Sequence, residues 1–198
     1  MATFIAIPAK AQSKTAMRKV LDYVTQFKKT AYMNPDAGRQ YKLISGQDCM
    51  PETAYKEFMN TKGQYRKASG VFYKHYIQSF KPDCGATPEL IHRIGALLAK
   101  EFSGYEVVIA THIDADHWHT HFIVNSVSCE TGLKIQINKK GGYATPPGAG
   151  FIPTTNFCLA RKMFNAAAPL NARPSFPTPQ TLLLPQHIAV NMLNPAVI

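Results

Sequence analysis

Apolar and polar positions along the first 140 residues repeat with two periods, and the switches between them mark out the elements. Thr3 to Ile7 is a short apolar run of strand character. From Ser13 to Phe27, the residues Ala16, Val20, Tyr23, Val24 and Phe27 recur at helical spacing, and Ser13 stands where an N-cap belongs. Tyr41 to Ile44 reads as a short strand stopped by Ser45-Gly46. Pro51 to Met59 reads as a helix with proline in its tolerated first turn. Val71 to Phe80 is a long strand rich in aromatics. Thr87-Pro88-Glu89 opens a helix to Phe102, with Leu90, Ile94, Leu97 and Leu98 on its apolar side and Gly104 ending it. Tyr105 to Ala110 predicts a buried strand and His119 to Val127 a second, and Thr131-Gly132 marks a hairpin into a third, Leu133 to Asn138. Three strand–helix pairs followed by three strands predict an α/β fold with a central antiparallel sheet flanked by helices.

The pattern breaks near Gly141. Residues 141–198 contain no Asp or Glu and hold nine of the fourteen prolines, and Arg161, Lys162 and Arg173 are their only formal charges. Segments such as Pro174-Ser175-Phe176-Pro177-Thr178-Pro179 resist both helix and sheet pairing. The expected division is therefore a folded domain over 1–140 and an atypical Pro-rich tail over 141–198, disordered or foreign to the fold. The complete loss of acidic residues also fits a truncation or a shifted reading frame.

With 198 residues and 45% hydrophobic content, most of the chain can bury a core. No apolar run is long enough to span a membrane, and Met1 to Lys10 lacks the apolar stretch of a secretory signal, so no membrane insertion and a cytoplasmic location are expected. Cys49, Cys84, Cys129 and Cys158 show no paired zinc-ligand spacing and are expected as reduced thiols. The net charge of +10 and pI of about 9.5 favour a polyanionic partner. Basic residues interleave with aromatics at Lys28-Lys29-Thr30-Ala31-Tyr32, Lys62 to Lys67, and Tyr73-Lys74-His75-Tyr76. That mixture suits single-stranded nucleic acid, and equally an ordinary basic surface with core tyrosines.

The chemistry concentrates in residues 112–121, which hold four histidines. Alternate residues of a strand share a face, so His119, His121, Ile123 and Asn125 point one way. The turn before them lets His112 return to that face from the neighbouring strand. His112, His119 and His121 can then converge on one cation with positions left open for a substrate, the layout of a catalytic metal site. Such a run also fits a loose metal-binding tract. Magnesium or manganese is the expected working ion, and three imidazoles would also hold zinc, nickel or cobalt. Asp114 either orients a ligand imidazole or serves the turn. His117 supports a ligand, contacts DNA, or replaces a ligand in a shifted register. Asn125 hydrogen-bonds near the metal or ties two strands together.

His112-x-Asp114-(x)4-His119-x-His121-x-Ile123-x-Asn125 resembles the histidine motif of plasmid relaxases, mobilisation nucleases that pair histidines around a bulky apolar residue. Val20-Leu21-Asp22-Tyr23 with Lys28-Lys29-Thr30 is similar to that family's N-terminal tyrosine motif. Tyr76-Ile77-Gln78-Ser79-Phe80-Lys81-Pro82 is similar to its serine-bearing strand, and Thr87-Pro88-Glu89 with His92-Arg93-Ile94-Gly95 to the helix that follows. The resemblance covers roughly residues 3–140. It implies a relaxase-like nuclease fold and a DNA strand transferase, whose tyrosine attacks a phosphodiester at an origin of transfer and becomes covalently joined to the 5′ end. Tyr23 is then the nucleophile, with Tyr32 the chief substitute, and core packing is its plain alternative. Ser79, Lys28, Lys29, Lys74, His117 and Asn125 are the expected DNA contacts. Single-stranded or nicked origin DNA is the expected partner, together with accessory mobilisation and coupling proteins.

Three other readings compete. A non-cleaving, truncated DNA-binding mobilisation protein fits the same motifs. A rolling-circle replication initiator or single-strand transposase would use a tyrosine after the histidines, where only Tyr143 stands. Thr111-His112-Ile113-Asp114-Ala115-Asp116-His117 resembles the metallo-β-lactamase-like motif, but Asp114 replaces a histidine there and only His187 follows as a further ligand.

Overall fold

The computed structural model describes residues 2–8, 11–82 and 84–137, with the backbone of the pair Tyr143–Ala144. The elements are strand β1 (Ala2–Ile7), helices α1 (Lys14–Val24) and α2 (Phe27–Thr30), strands β2 (Ala31–Asn34), β3 (Arg39–Lys42) and β4 (Ile44–Gln47), and helix α3 (Ala54–Gln64). There follow β5 (Tyr73–Phe80), α4 (Pro88–Ala99), β6 (Val107–His112), β7 (His119–Asn125), and the two-residue strands β8 (Gln136–Ile137) and β9 (Tyr143–Ala144). Five strands form an antiparallel sheet in the order β1-β5-β7-β6-β4. Its covering helices make this the α/β architecture that the periodicity predicts.

The helix starts follow from local chemistry. Ser13 accepts from the Ala16 amide at 3.0 Å, and Thr87 from that of Leu90 at 3.2 Å, so both caps satisfy a first-turn donor. The Thr25 hydroxyl bonds back to the Leu21 carbonyl at 2.9 Å and Gln26 takes an extended backbone, so α1 stops at Val24 rather than running to Phe27. The buried stripe of α1 is Met17, Leu21 and Val24, which leaves Tyr23 44% and Phe27 53% exposed. In α4 the buried set is Ile91, Ile94, Gly95, Leu98 and Ala99, and Leu97 faces out. A Cβ on Gly95 would lie 2.8 Å from Thr120 Cγ2, so the glycine lets α4 sit directly on β7.

Each sheet face has its own core. On one, Tyr73, Val108, Ala110 and Ile123 meet Met17, Leu21 and Val24 of α1 and Ala54 and Phe58 of α3. On the other, Tyr76, Ile109, Phe122 and Val124 meet Leu98, Ala99 and Phe102. These apolar layers fix the register, because a one-residue slip would turn every strand side chain over.

Other elements also differ from the sequence expectations. Tyr41 to Ile44 is split between β3 and β4. β3 pairs with β2 in a hairpin that the sequence pattern did not reveal; its turn is closed by Asn34, whose side-chain oxygen takes the Asp36 and Ala37 amides at 2.9 Å each. α3 starts at Ala54 and runs to Gln64, and Lys62 in its last turn bonds the buried Asn125. Beyond β7 the chain turns at Gly132 (φ +68°) and returns through a Val127–Lys134 bridge, before β8 pairs with β9. Apart from the backbone of Tyr143–Ala144, the Pro-rich tail lies outside the described residues. Among the described residues, Cys49, Cys84 and Cys129 are free thiols, and no helix is long and apolar enough to cross a membrane.

Candidate active site

The β6–β7 pairing sets His112 directly opposite His119, with His121 opposite Ala110. All three imidazoles therefore stand on the α1 side of the sheet. One nitrogen from each lies within 4.8 Å of the others. The rings of His112 and His121 are 4.3 Å apart between centres, and that of His119 is 5.2 Å and 4.9 Å from them. His112 and His121 are buried and His119 is half-buried at the open end. The convergence read from alternating strand positions is present.

The outward nitrogens are each held. His112 Nε2 lies 3.0 Å from the Val24 carbonyl oxygen and His119 Nδ1 3.2 Å from that of His117. A carbonyl only accepts, so both nitrogens carry the proton, and His112 Nδ1 and His119 Nε2 keep lone pairs. His121 Nδ1 meets His75 Nε2 at 2.8 Å, and its Nε2 faces His112 Nδ1 at 3.2 Å. Burial and the charge of neighbouring rings push the imidazolium forms of His112 and His121 down, and burial with His112 takes His75 to about 4. This is a donor set suited to a divalent cation: His112 Nδ1 and His119 Nε2 present lone pairs toward the centre, and all three rings are anchored from behind.

Tyr23, on the last turn of α1, roofs the cluster. Its ring is edge-on to His112 at 5.7 Å and to His121 at 6.2 Å. The same turn supplies the Val24 carbonyl that anchors His112, so one helix end positions both nucleophile candidate and ligand. Lys29 of α2 lies with its Nζ 5.0 Å from the Tyr23 ring centre and 2.8 Å from Asp114. The Ile113 amide donates to the Lys29 carbonyl at 2.9 Å, which ties α2 to the end of β6. The hydrogen bond to Asp114 raises the Lys29 pKa. Burial works against ionisation of Asp114, yet the Lys29 hydrogen bond and charge hold its carboxyl below the ordinary range.

Other sequence candidates separate by position. Ser79 on β5 is paired with His119 and lies at the open end of the histidine face. His117 is exposed in the turn, its ring 5.7 Å from that of His119. Lys28 is exposed beside Lys29. Among the described residues Asp114 has no bond to a ligand imidazole; its carboxylate is taken by Lys29, while two carbonyls and His75 stand behind the rings. Lys74 stands on the opposite sheet face, at the far end of β5, and burial lowers its pKa. Asn125 lies six residues along β7 from His119, about 20 Å at the usual strand rise. It is fully buried between Lys62 and Glu106, where it ties α3 to the sheet. Tyr32 packs against Tyr41 in the β2–β3 hairpin, and the Tyr143 side chain lies outside the described residues.

His75 is the site residue that sequence reading missed. The signal was present: His75 and Ser79 share a face of β5, and antiparallel pairing on β7 brings that face to the histidines.

A family model described as the nuclease domain of MobA/VirD2-like relaxases matches residues 23–145, more than half of the chain. Protein rlx of Staphylococcus aureus is 41% identical over 97 residues, which are 48% of this chain and 30% of the relative. The group II intron-interrupted relaxase LtrB of Lactococcus lactis subsp. cremoris (strain MG1363) is 52% identical over 92 residues, 46% of this chain and 16% of the relative. The matched stretch thus spans less than a third of either relative.

Proposed function

Because the chain belongs to the MobA/VirD2-like relaxase nuclease-domain family, we propose that it nicks and rejoins one DNA strand at the origin of transfer of a plasmid or mobile element, through a covalent link to Tyr23. The observation that carries this reading is the half-exposed Tyr23 ring over the converging imidazoles of His112 and His121.

In this account the Tyr23 hydroxyl oxygen attacks the phosphorus. A tyrosine O–P bond forms as the P–O3′ bond breaks, the phenol proton leaves to solvent, and the departing 3′ oxygen gains one. Reversal by a 3′ hydroxyl rejoins the strand. His112, His119 and His121 would hold a divalent cation, magnesium or manganese in the cell, which when bound supplies positive charge to the non-bridging phosphate oxygens. Lys29 holds a fixed positive charge beside the nucleophile, and its pairing with Asp114 keeps the ammonium there. Ser79 and His117, which lie beside His119, and the exposed Lys28 are the contacts this reading gives to the strand.

The substrate is single-stranded or nicked origin DNA in the cytoplasm, and accessory mobilisation and coupling proteins act with the whole protein. The nuclease unit is assigned to residues 1–140, with 141–198 an atypical tail. A denaturing gel tests the reading. Origin single strands with a divalent metal should yield a protein–DNA adduct, absent in Tyr23→Phe; strand binding with no adduct from the unaltered chain would instead mark a non-cleaving mobilisation protein.

A further inference from the structure

The ring nitrogens of the histidine cluster form one unbroken line: His75 Nε2 to His121 Nδ1 at 2.8 Å, His121 Nε2 to His112 Nδ1 at 3.2 Å, and His112 Nε2 to the Val24 carbonyl at 3.0 Å. The far end fixes the proton positions of the metal-free chain. Val24 requires N–H at His112 Nε2, which makes His112 Nδ1 an acceptor. His121 must then donate from Nε2, which makes its Nδ1 an acceptor and requires N–H at His75 Nε2. A cation between the rings needs the reverse at His121, because a ligand nitrogen must present a lone pair. The His121 proton then has to sit on Nδ1, and that arrangement lasts only if something accepts from it.

We propose that His75 is a positioning residue that exchanges ring tautomer with His121 when the site is loaded, holding His121 Nε2 ready as a ligand. The inference rests on the metal reading given above. In the switch His121 loses a proton from Nε2 to solvent and gains one at Nδ1 from His75 Nε2, while His75 gains one from solvent at Nδ1. No net proton is taken up or released. The geometry favours His75 for this part. Its ring lies 5.0 Å from that of His121 on the adjacent strand, where the β5–β7 ladder holds its backbone. Asp114 is engaged by Lys29 and has no bond to any ligand imidazole among the described residues.

The test is long-range ¹H–¹⁵N spectroscopy of the full chain with labelled histidine, with and without Zn²⁺ alone, beside calorimetric Zn²⁺ titration of the unaltered chain, His75→Phe and His75→Gln. The expected result is His75 protonated at Nε2 without metal and at Nδ1 with it. His75→Phe should bind Zn²⁺ about 10–100-fold more weakly, the usual cost of losing a partner behind a ligand. His75→Gln, whose carbonyl can accept from His121 Nδ1, should recover most of the affinity. A purely packing role would be met as well by phenylalanine and would leave the His75 tautomer unmoved. Tight Zn²⁺ binding with an unchanged His75 tautomer, or with equal affinity in His75→Phe, overturns the His75 assignment and leaves the metal site standing. Failure of the unaltered chain to bind Zn²⁺ overturns the metal reading and this inference with it.

Discussion

Lys29 Nζ lies 2.8 Å from the Asp114 carboxylate, and that single pairing brings α2, the end of β6 and Tyr23 together. Surface pairs of this kind contribute about 0–1 kcal/mol to stability. Its consequence for the reaction should be larger, because the charge sits beside the attacking group. Lys29→Met should leave the melting temperature within a few degrees and slow adduct formation by about 100-fold, in line with loss of one preorganised charge. Single-turnover adduct kinetics beside a thermal melt check this. Equal rates in the two proteins would remove Lys29 from the chemistry.

Metal loading should show as stabilisation, since a ligand that binds only the folded chain raises its stability by mass action. Mn²⁺ or Zn²⁺ should raise the melting temperature, EDTA should reverse the rise, and His119→Ala should abolish it at little cost to the apo protein, because His119 is half-buried at the site's open end. His112→Ala should also destabilise the apo protein by about 1–3 kcal/mol, since it leaves the Val24 carbonyl without its donor. Differential scanning fluorimetry of the two variants separates these effects.

Asn125 and Lys74 should behave as structural residues. Asn125 holds buried Lys62 and Glu106 together, and burial takes the Lys62 ammonium down to about 7 while raising the Glu106 carboxyl. Asn125→Leu should therefore cost about 3 kcal/mol or more by stranding that pair, as breaking a buried charged cluster does. Lys74→Ala should leave strand affinity unchanged, whereas Lys28→Ala should weaken it and flatten its salt dependence. Binding titrations at two salt concentrations decide the matter; weaker binding in Lys74→Ala would place DNA on the opposite sheet face.

Acid should weaken the fold through its buried histidines. His92 bonds to the Thr111 hydroxyl at 2.9 Å under the other sheet face, and burial takes it to about 4. An unfolded histidine takes up its proton near pH 6.5, so the unfolded chain binds more protons between pH 6.5 and 4, and stability falls as pH drops through that window. Glu106, raised by burial, works in the opposite sense and gains stability as pH falls through its elevated range. Chemical denaturation at pH 7.5 and 4.5 should show a net loss, and His92→Gln should shrink it. A loss unchanged in that variant would show that His92 is not a source of it.

How much of this was legible in sequence depended on period and locality. Strand alternation placed His119 and His121 on one face and the turn returned His112 to it, because a two-residue period is a fixed consequence of strand geometry. Caps at Ser13 and Thr87 were legible for the same local reason. The α1 stripe was misread by one residue because Ala16 and Tyr23 score as apolar although Met17 and Leu21 fill the core. Tyr23 therefore stood between two readings, nucleophile and core packing, and its 44% exposure is what removes it from the core. His75 and Lys62 were missed because their partners, 46 and 63 residues away, are set by strand order and helix docking; alternation on β5 puts His75 on the face of Ser79 but does not say which strand lies beside it. The β2–β3 hairpin was missed because its strands are only four residues each and β3 is exposed throughout, so no apolar alternation marks them, although Asn34 supplies local turn chemistry.

The central claim is that Tyr23 becomes joined to DNA. The most direct measurement is peptide mapping by mass spectrometry after reaction of the full chain with an origin single strand and Mn²⁺. The account predicts a nucleotide remnant on the α1 peptide, at Tyr23, and none from His119→Ala. A remnant on Tyr143 would contradict it and favour a nucleophile placed after the histidines, as in rolling-circle initiators and single-strand transposases.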